Sequence, residues 1–382
     1  MAKRPEPGQP WHQLLDALLG QRVALAAEIT RRMQQRLSVY QELSAPTFER
    51  YVAMAMDCTI RLARADPPKL SDRQTQVLEQ VGEAQARLAV PVDQMLLAWR
   101  IGADLLVEQG TEEADRTGLG DRQLLGFVRG TLAAADVGMI TTARAHRRAE
   151  LDRDREAQDR RASFVRAVLF GTGEPAELRA RAKGYGLDPG RPYLALRARA
   201  ATGRSWREVD RAVGLAEAAR SGRGMSVLVD GDVAGFQLDR PGDVDPGRAG
   251  VGPAVPLDRL AESFRLASRA LDTLEAFGMA GTRDLADLGL RPAVAADADV
   301  GAALRRRYLE PLADSGVELV ATLRAYLAAG SHVETAAEGL HIHPNTLRYR
   351  LSRFEELASV SLRDPLVPFE LWWALERAAI DP

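Results

Sequence analysis

The 382-residue sequence predicts a mainly α-helical protein with one α+β domain in its middle. Three observations carry that expectation. Ala, Leu and Arg dominate the chain, and these residues lose little rotamer freedom in a helix. Apolar residues recur at three- and four-residue spacing from Trp11 to about Ala143, and again from Leu304 onward. Between these stretches, from Pro192, the pattern changes to the alternation of a half-buried strand.

Residues 1–10 (MAKRPEPGQP) hold three prolines and a glycine and read as a disordered tail with no secretory signal. Residues 11–143 read as a helical domain. Leu14, Leu15, Leu18 and Leu19 form one apolar stripe; Met95, Leu96, Trp99 and Leu106 form another. Breaks fall at Ala45–Pro46, Asp66–Pro68, Val90–Pro91 and Gly118–Gly120, and Ser44 and Ser71 are candidate N-caps. Residues 144–166 carry eight Arg and five acids with few apolar residues. Opposite charges three and four apart support a solvated connecting helix. The segment lacks the sustained a/d seam of a coiled-coil stalk.

Residues 167–298 are expected to form the α+β domain. Tyr193–Ala200 alternates. Met225–Val229 and Val233–Leu238 flank Asp230–Gly231–Asp232, a tight hairpin turn. Ala249–Val255 is a third strand. One helix is expected over about Trp206–Arg220 and another over Leu257–Phe277, the latter with Leu260, Phe264, Ala267, Leu271 and Leu274 on one face. The order of elements fits helices packed on an antiparallel or mixed sheet. The turn-rich stretch 240–256 is a candidate mobile loop.

Residues 304–382 return to helix, with elements at Leu319–Ala329, Val333–Gly339, His343–Ala358 and Pro368–Ala379. The small residues Ala336 and Ala337 and the short turn before Pro344 fit a helix-turn-helix unit. Pro344 suits the first helical position. At about 100° per residue, Leu347, Leu351, Phe354 and Ala358 fall on one buried stripe. The opposite face carries Asn345, Tyr349 and Ser352, flanked by Arg348 and Arg353. Arg and Asn can pair with guanine and adenine edges. Ser and Tyr can hold phosphates, and Thr346 lies in the first turn, where free N–H groups can meet a phosphate. His343 caps the helix or touches a phosphate. These seven residues, His343, Asn345, Thr346, Arg348, Tyr349, Ser352 and Arg353, are the candidate DNA-binding set; periodicity alone also fits an ordinary amphipathic helix.

Residues 319–376 resemble the C-terminal DNA-binding domain of the PucR/CdaR family of bacterial transcription regulators. The matching words are Leu323–Leu327 (LRAYL), Thr335–Ala337 (TAA) and His343–Leu351 (HPNTLRYRL), followed by Glu355–Leu357 and Phe369–Leu371. Phe354 stands where the family often has Ile, and Ser359–Val360 replaces the usual glycine. The middle region is similar to that family's degenerate GGDEF-like domain. Of the hairpin motif only Gly231–Asp232 survives, without a following metal-binding acid, so the resemblance implies no cyclase activity. Val92–Asp115 resembles the RsbR-type N-terminal domain, a globin-like module, which implies sensing or protein interaction. A haem would need an axial ligand, and only His12 and His146 lie in or beside this region.

Composition closes off other classes. Apolar residues are 46%, charged residues 27% and the net charge −2, which argues against a wholly disordered chain and against a uniformly basic coat. The single cysteine, Cys58, permits no intrachain disulfide or Cys-based zinc site and reads as a buried apolar residue. No stretch comes near the roughly 20 apolar residues of a membrane span. No Ser/His/Asp triad, P-loop or paired-carboxylate motif stands out. His341 and His343 lack partners for a metal. Trp99 reads as core ahead of pocket lining, with Arg100 beside it, and Trp372 and Trp373 as cover for the helix-turn-helix core. The expectation is a cytoplasmic regulator that is not an enzyme and uses no cofactor or metal. It couples a small-molecule effector or partner to double-stranded operator DNA, as a dimer or higher oligomer. The alternative is a stress-signalling interaction protein without specific DNA binding.

Overall fold

The computed structural model describes residues 11–380 apart from 44, 66, 202, 245, 246 and 316. The expected tail, the expected cap Ser44 and the break residue Asp66 lie outside the described residues. Residues 1–159 and 160–382 form two compact units.

The first unit contains α1 (His12–Gly20), α2 (Arg22–Arg36), α3 (Ser38–Gln41), α4 (Ala45–Leu62), α5 (Asp72–Arg87), α6 (Val92–Thr117) and most of α7 (Asp121–Phe170). Ser71 caps α5 in a capping box with Gln74. Leu14, Leu15 and Leu18 are buried, as are Met95 and Leu106. Leu96, placed on the second stripe, is instead exposed, because that side of α6 faces a surface groove with Leu97 and Leu132. Helices α6 and α7 approach so closely at Gly110 that a Cβ there would fall 2.1 Å from the Phe127 ring. The charged stretch 144–166 has no start of its own; it is the second half of α7, one uninterrupted 50-residue helix. An 18-residue window of α7 has mean hydropathy 1.3, with 28% of it buried. Contrary to the sequence expectation, one helix is thus long and apolar enough to cross a membrane. The same helix places Phe127, Ala134 and His146 in the interior of the first unit, as a core helix does.

The second unit takes in the end of α7, from residue 160, then α8 (Pro175–Gly184) and a five-stranded sheet: β1 (Tyr193–Ala200), β2 (Gly224–Val229), β3 (Asp232–Gln237), β4 (Gly247–Val255) and β5 (Gly281–Arg283). The order is β2-β3-β1-β4-β5, antiparallel except for the parallel β4–β5 pair. The sheet is therefore mixed. Asp230 and Gly231 both take positive φ (51° and 85°), the two-residue hairpin turn whose twist suits paired strands. The helix α11 (Leu260–Ala276) lies directly on the sheet. A Cβ at Gly250 would fall 2.0 Å from the Ala267 carbonyl oxygen, so only glycine permits that approach. The five-residue apolar face expected of α11 is buried as placed.

Two local expectations needed correction. The single helix at 206–220 is two, α9 (Trp206–Ala212) and α10 (Leu215–Arg220), broken where Gly214 turns left-handed at φ 81°. The long helix is preceded by a 3-10 turn at Leu257–Arg259. Strand β5, the helices α12 (Leu285–Leu288) and α13 (Arg291–Ala296), and the start of α14 (Ala298–Tyr308) before Leu304 lie outside the elements the sequence predicts. They run on into α15 (Val317–Ala328), α16 (Val333–Gly339), α17 (Pro344–Ala358) and α18 (Val367–Ile380).

Candidate nucleic-acid interface

Helices α15, α16 and α17 form the helix-turn-helix unit. Gly330 (φ 62°) ends α15, and His341 (φ 56°) turns the chain between α16 and α17. Ala336 and Ala337 are buried where the helices meet, so short side chains there allow close packing. The first turn of α17 is capped by His343, whose Nδ1 accepts from the Asn345 backbone N–H at 3.2 Å, with Pro344 next to it. Leu347, Leu351 and Phe354 are buried with Leu323, Leu371 and Leu375. That stripe fixes the rotation of α17 and so decides which residues it presents.

All seven candidate residues are exposed, and Tyr349 is 73% so. Arg348 bridges two groups: its Nη1 donates to Asn345 Oδ1 at 3.0 Å and its Nη2 to Glu334 Oε1 at 2.6 Å. Arg353 donates to Glu356 Oε2 at 3.0 Å. Arg350, outside the candidate set, is held half-buried against α15, donating to Thr322 Oγ1 at 3.3 Å and pairing with Glu318. Sequence reasoning missed Glu334 and Glu318. Neither lies on α17, and only the folded approach of α15 and α16 brings them to it. The seven residues share a face that can present Asn and Arg to base edges and hydroxyls to phosphates.

Tyr308, at the end of α14, is buried, hydrogen-bonds Glu370 on α18, and has its hydroxyl pushed up to about 12, chiefly by burial. Trp372 and Trp373 are only half-buried, while Leu371, Ala374 and Leu375 fill the core beneath α18. His341 and His343 gather no further ligands. Among the described residues no cluster of three His, Cys, Asp or Glu could hold a metal.

At the hairpin of the sheet, Asp232 is 2% exposed. It accepts from Arg197 Nε at 2.8 Å and from Arg199 Nε and Nη2 at 2.7 and 2.8 Å. Both its oxygens are thus committed to guanidinium groups. In the first unit Cys58 is buried, and burial pushes its thiol up to about 11. His146 is buried with Nε2 2.7 Å from the Val90 carbonyl oxygen. Burial lowers His12, which stands edge-on to Trp11. Trp99 lies over Gly138, where a Cβ would fall 2.6 Å from the indole.

Residues 319–376 match the PucR C-terminal helix-turn-helix domain, and residues 23–161 match the N-terminal domain of the RsbT co-antagonist protein RsbRD. The Mycobacterium tuberculosis protein Rv2242 is 38% identical over 122 residues, 31% of this chain and 28% of its own length. The DNA-binding transcriptional activator AdeR of Bacillus subtilis is 34% identical over 68 residues, 18% of this chain and 16% of AdeR. The proline-responsive transcriptional activator PutR of the same organism is 43% identical over 51 residues, 13% of this chain and 12% of PutR. The chain therefore spans less than a third of the length of each of these relatives.

Proposed function

From a chain that joins an RsbRD-type N-terminal domain to a PucR-type helix-turn-helix domain, we propose a cytoplasmic DNA-binding transcription regulator with no catalytic role. The observation that carries this is the exposed Asn345–Arg348 pair at the start of α17, set by the buried Leu347–Leu351–Phe354 stripe on the other side. Such a helix enters the major groove with its N-terminal residues on base edges. In this reading Asn345 and Arg348 read bases. His343, Thr346, Tyr349, Ser352 and Arg353 hold the backbone on either side.

The domains divide the work. Residues 11–143, a globin-like helical domain, receive a metabolite or partner. Residues 144–166 connect. Residues 167–298, the degenerate GGDEF-like domain, relay, and 304–382 bind DNA. Contacts inside the second unit support the relay. Arg291 on α13 pairs with Glu376 on α18 at 2.8 Å, and Arg377 reaches the Val294 and Ala295 carbonyls at 3.4 and 3.3 Å. A shift in α13 would thus reach α18 and the domain that carries α17. One helix-turn-helix buries limited DNA surface, so the reading includes a dimer or higher oligomer on paired half-sites. The apolar groove of Leu96, Leu97, Trp99 and Leu132 supports association. The test is fluorescence anisotropy of the full chain on DNA from its own promoter region, against a scrambled duplex.

A further inference from the structure

The break between α9 and α10 leaves a cleft at the end of β3, away from the Asp230–Gly231 hairpin. It is open to the surface, has a volume of about 280 Å³ and is lined by Gly214, Glu217, Arg223, Gln237, Asp239 and Arg240, among others. That volume lies just below the roughly 300–1,000 Å³ of pockets for drug-sized ligands, so it suits a small molecule.

Gln237 makes this cleft more than a gap in the surface. Its side chain is 5% exposed. Its Nε2 donates to the Val213 carbonyl at 3.2 Å and the Asp239 carbonyl at 2.9 Å. Two carbonyl acceptors fix the amide orientation, because a flipped amide would set its oxygen against both. The remaining atom, Oε1, is buried with no donor among the described residues. The amide end lies beside the glycine at the helix break: a Cβ on Gly214 would lie 3.8 Å from Oε1 and 3.9 Å from Nε2. Buried acceptors are nearly always satisfied, so this one asks for a donor from outside the chain.

The rim carries two charges of each sign. Arg223 pairs with Asp239 at 2.5 Å, Arg240 with Asp284 and Asp287 at 2.7 and 2.8 Å, and Glu217 with Arg220 at 3.0 Å. These are exposed pairs, which contribute little and exchange partners readily. An anion would meet Glu217 and Asp239, and a cation would meet both arginines. A neutral polyol would satisfy Oε1 and leave the rim charges unused.

We propose that this cleft binds a small zwitterion of the α-amino acid class. Its ammonium donates to Gln237 Oε1 and neighbours Glu217, and its carboxylate accepts from the Arg223 guanidinium. Arg240 links the cleft to Asp284 and Asp287 at the cap of α12, just before α13. The role as effector site rests on the relay described above; the binding itself does not.

The experiment is calorimetric titration of the full chain, without DNA, with each protein L-amino acid and with ethylamine and propionate as one-charge controls. At least one amino acid should saturate a single site with Kd of about 1 mM or tighter, and both controls should bind at least about tenfold more weakly. Gln237→Met should abolish the heat. Arg223→Gln should weaken binding about tenfold with an unchanged melting curve, and it decides the matter if Gln237→Met does not fold. The proposal is overturned if no amino acid binds, if a control binds as well, or if the folded variants bind like wild type. Because DNA is absent, failure here leaves the DNA-reading role standing, and loss of DNA binding leaves this site standing.

Discussion

Glu334 on α16 holds Arg348 on α17 through a 2.6 Å ion pair that spans the helix-turn-helix. The same guanidinium holds Asn345, so the two base-reading candidates are tied to one another and to an acid. With Arg350–Glu318 and Arg353–Glu356, each arginine of α17 faces a glutamate of its own domain. Both partners of the Arg348 pair are exposed, so DNA can displace the acid at small cost. We predict that Glu334→Ala tightens binding to duplex DNA about 3–10-fold and steepens its salt dependence, since Arg348 is freed and an acid that repels the phosphates is gone. Anisotropy titrations at several salt concentrations measure both. Unchanged affinity and slope would show that Glu334 plays no part in masking Arg348.

Ser359 ends α17 in the left-handed conformation (φ 54°, ψ 46°). A non-glycine residue is strained there by roughly 1–2 kcal/mol. Ser359→Gly should therefore stabilise the second unit by about 0.5–1 kcal/mol, with glycine's extra unfolded-state entropy offsetting part of the gain. Denaturant melts of the two proteins decide it; a lower midpoint for the glycine variant would contradict the strain.

Asp232 is buried between Arg197 and Arg199, and Arg197 is itself mostly buried. Removing the carboxylate strands a charge in a poorly hydrated place. Discounted for the partial exposure of Arg199, Asp232→Ala should cost about 2–3 kcal/mol in thermal or chemical unfolding. A loss below about 0.5 kcal/mol would place this cluster among ordinary surface pairs.

The Cys58 thiol is raised to about 11, first by burial and then by the nearby Asp57. Its neutral form is favoured in the folded chain. That contribution is whole below the unfolded thiol's value and is lost as pH rises from there toward 11. At pH 8 iodoacetamide should modify Cys58 far more slowly in the native protein than in denaturant, because the thiolate is the nucleophile. Equal rates, read by mass spectrometry, would show an accessible thiol.

The buried and exposed sides of α17 could be read from period alone. The three-and-four spacing of Leu347, Leu351 and Phe354 set the buried side of α17, and every candidate on the other side is exposed. The alternation of Tyr193–Ala200 and the Asp-Gly turn likewise marked β1 and the hairpin. What escaped depends on tertiary contact. Strand β5 has three residues and is held by parallel pairing to β4 across the whole of α11. Gly214 reads as a tolerable glycine within a helical run until its φ is known. The unbroken course of α7 was hidden by its change from apolar to charged, which alters burial without ending the helix. Glu334 and Glu318 carry no motif that ties them to α17.

The most direct test of DNA reading by α17 compares Asn345→Ala, Arg348→Ala and Leu351→Ala in the full chain, measuring affinity for the cognate promoter duplex, affinity for a scrambled duplex, and melting temperature. Asn345 and Arg348 lie off the buried stripe, so their variants should melt like wild type. Each should lose about 1–3 kcal/mol of discrimination between the duplexes. Leu351→Ala empties a buried site and should instead lose about 2–5 kcal/mol of stability. If Asn345→Ala and Arg348→Ala discriminate between the duplexes as wild type does, α17 does not read DNA, and the domain serves protein interaction instead.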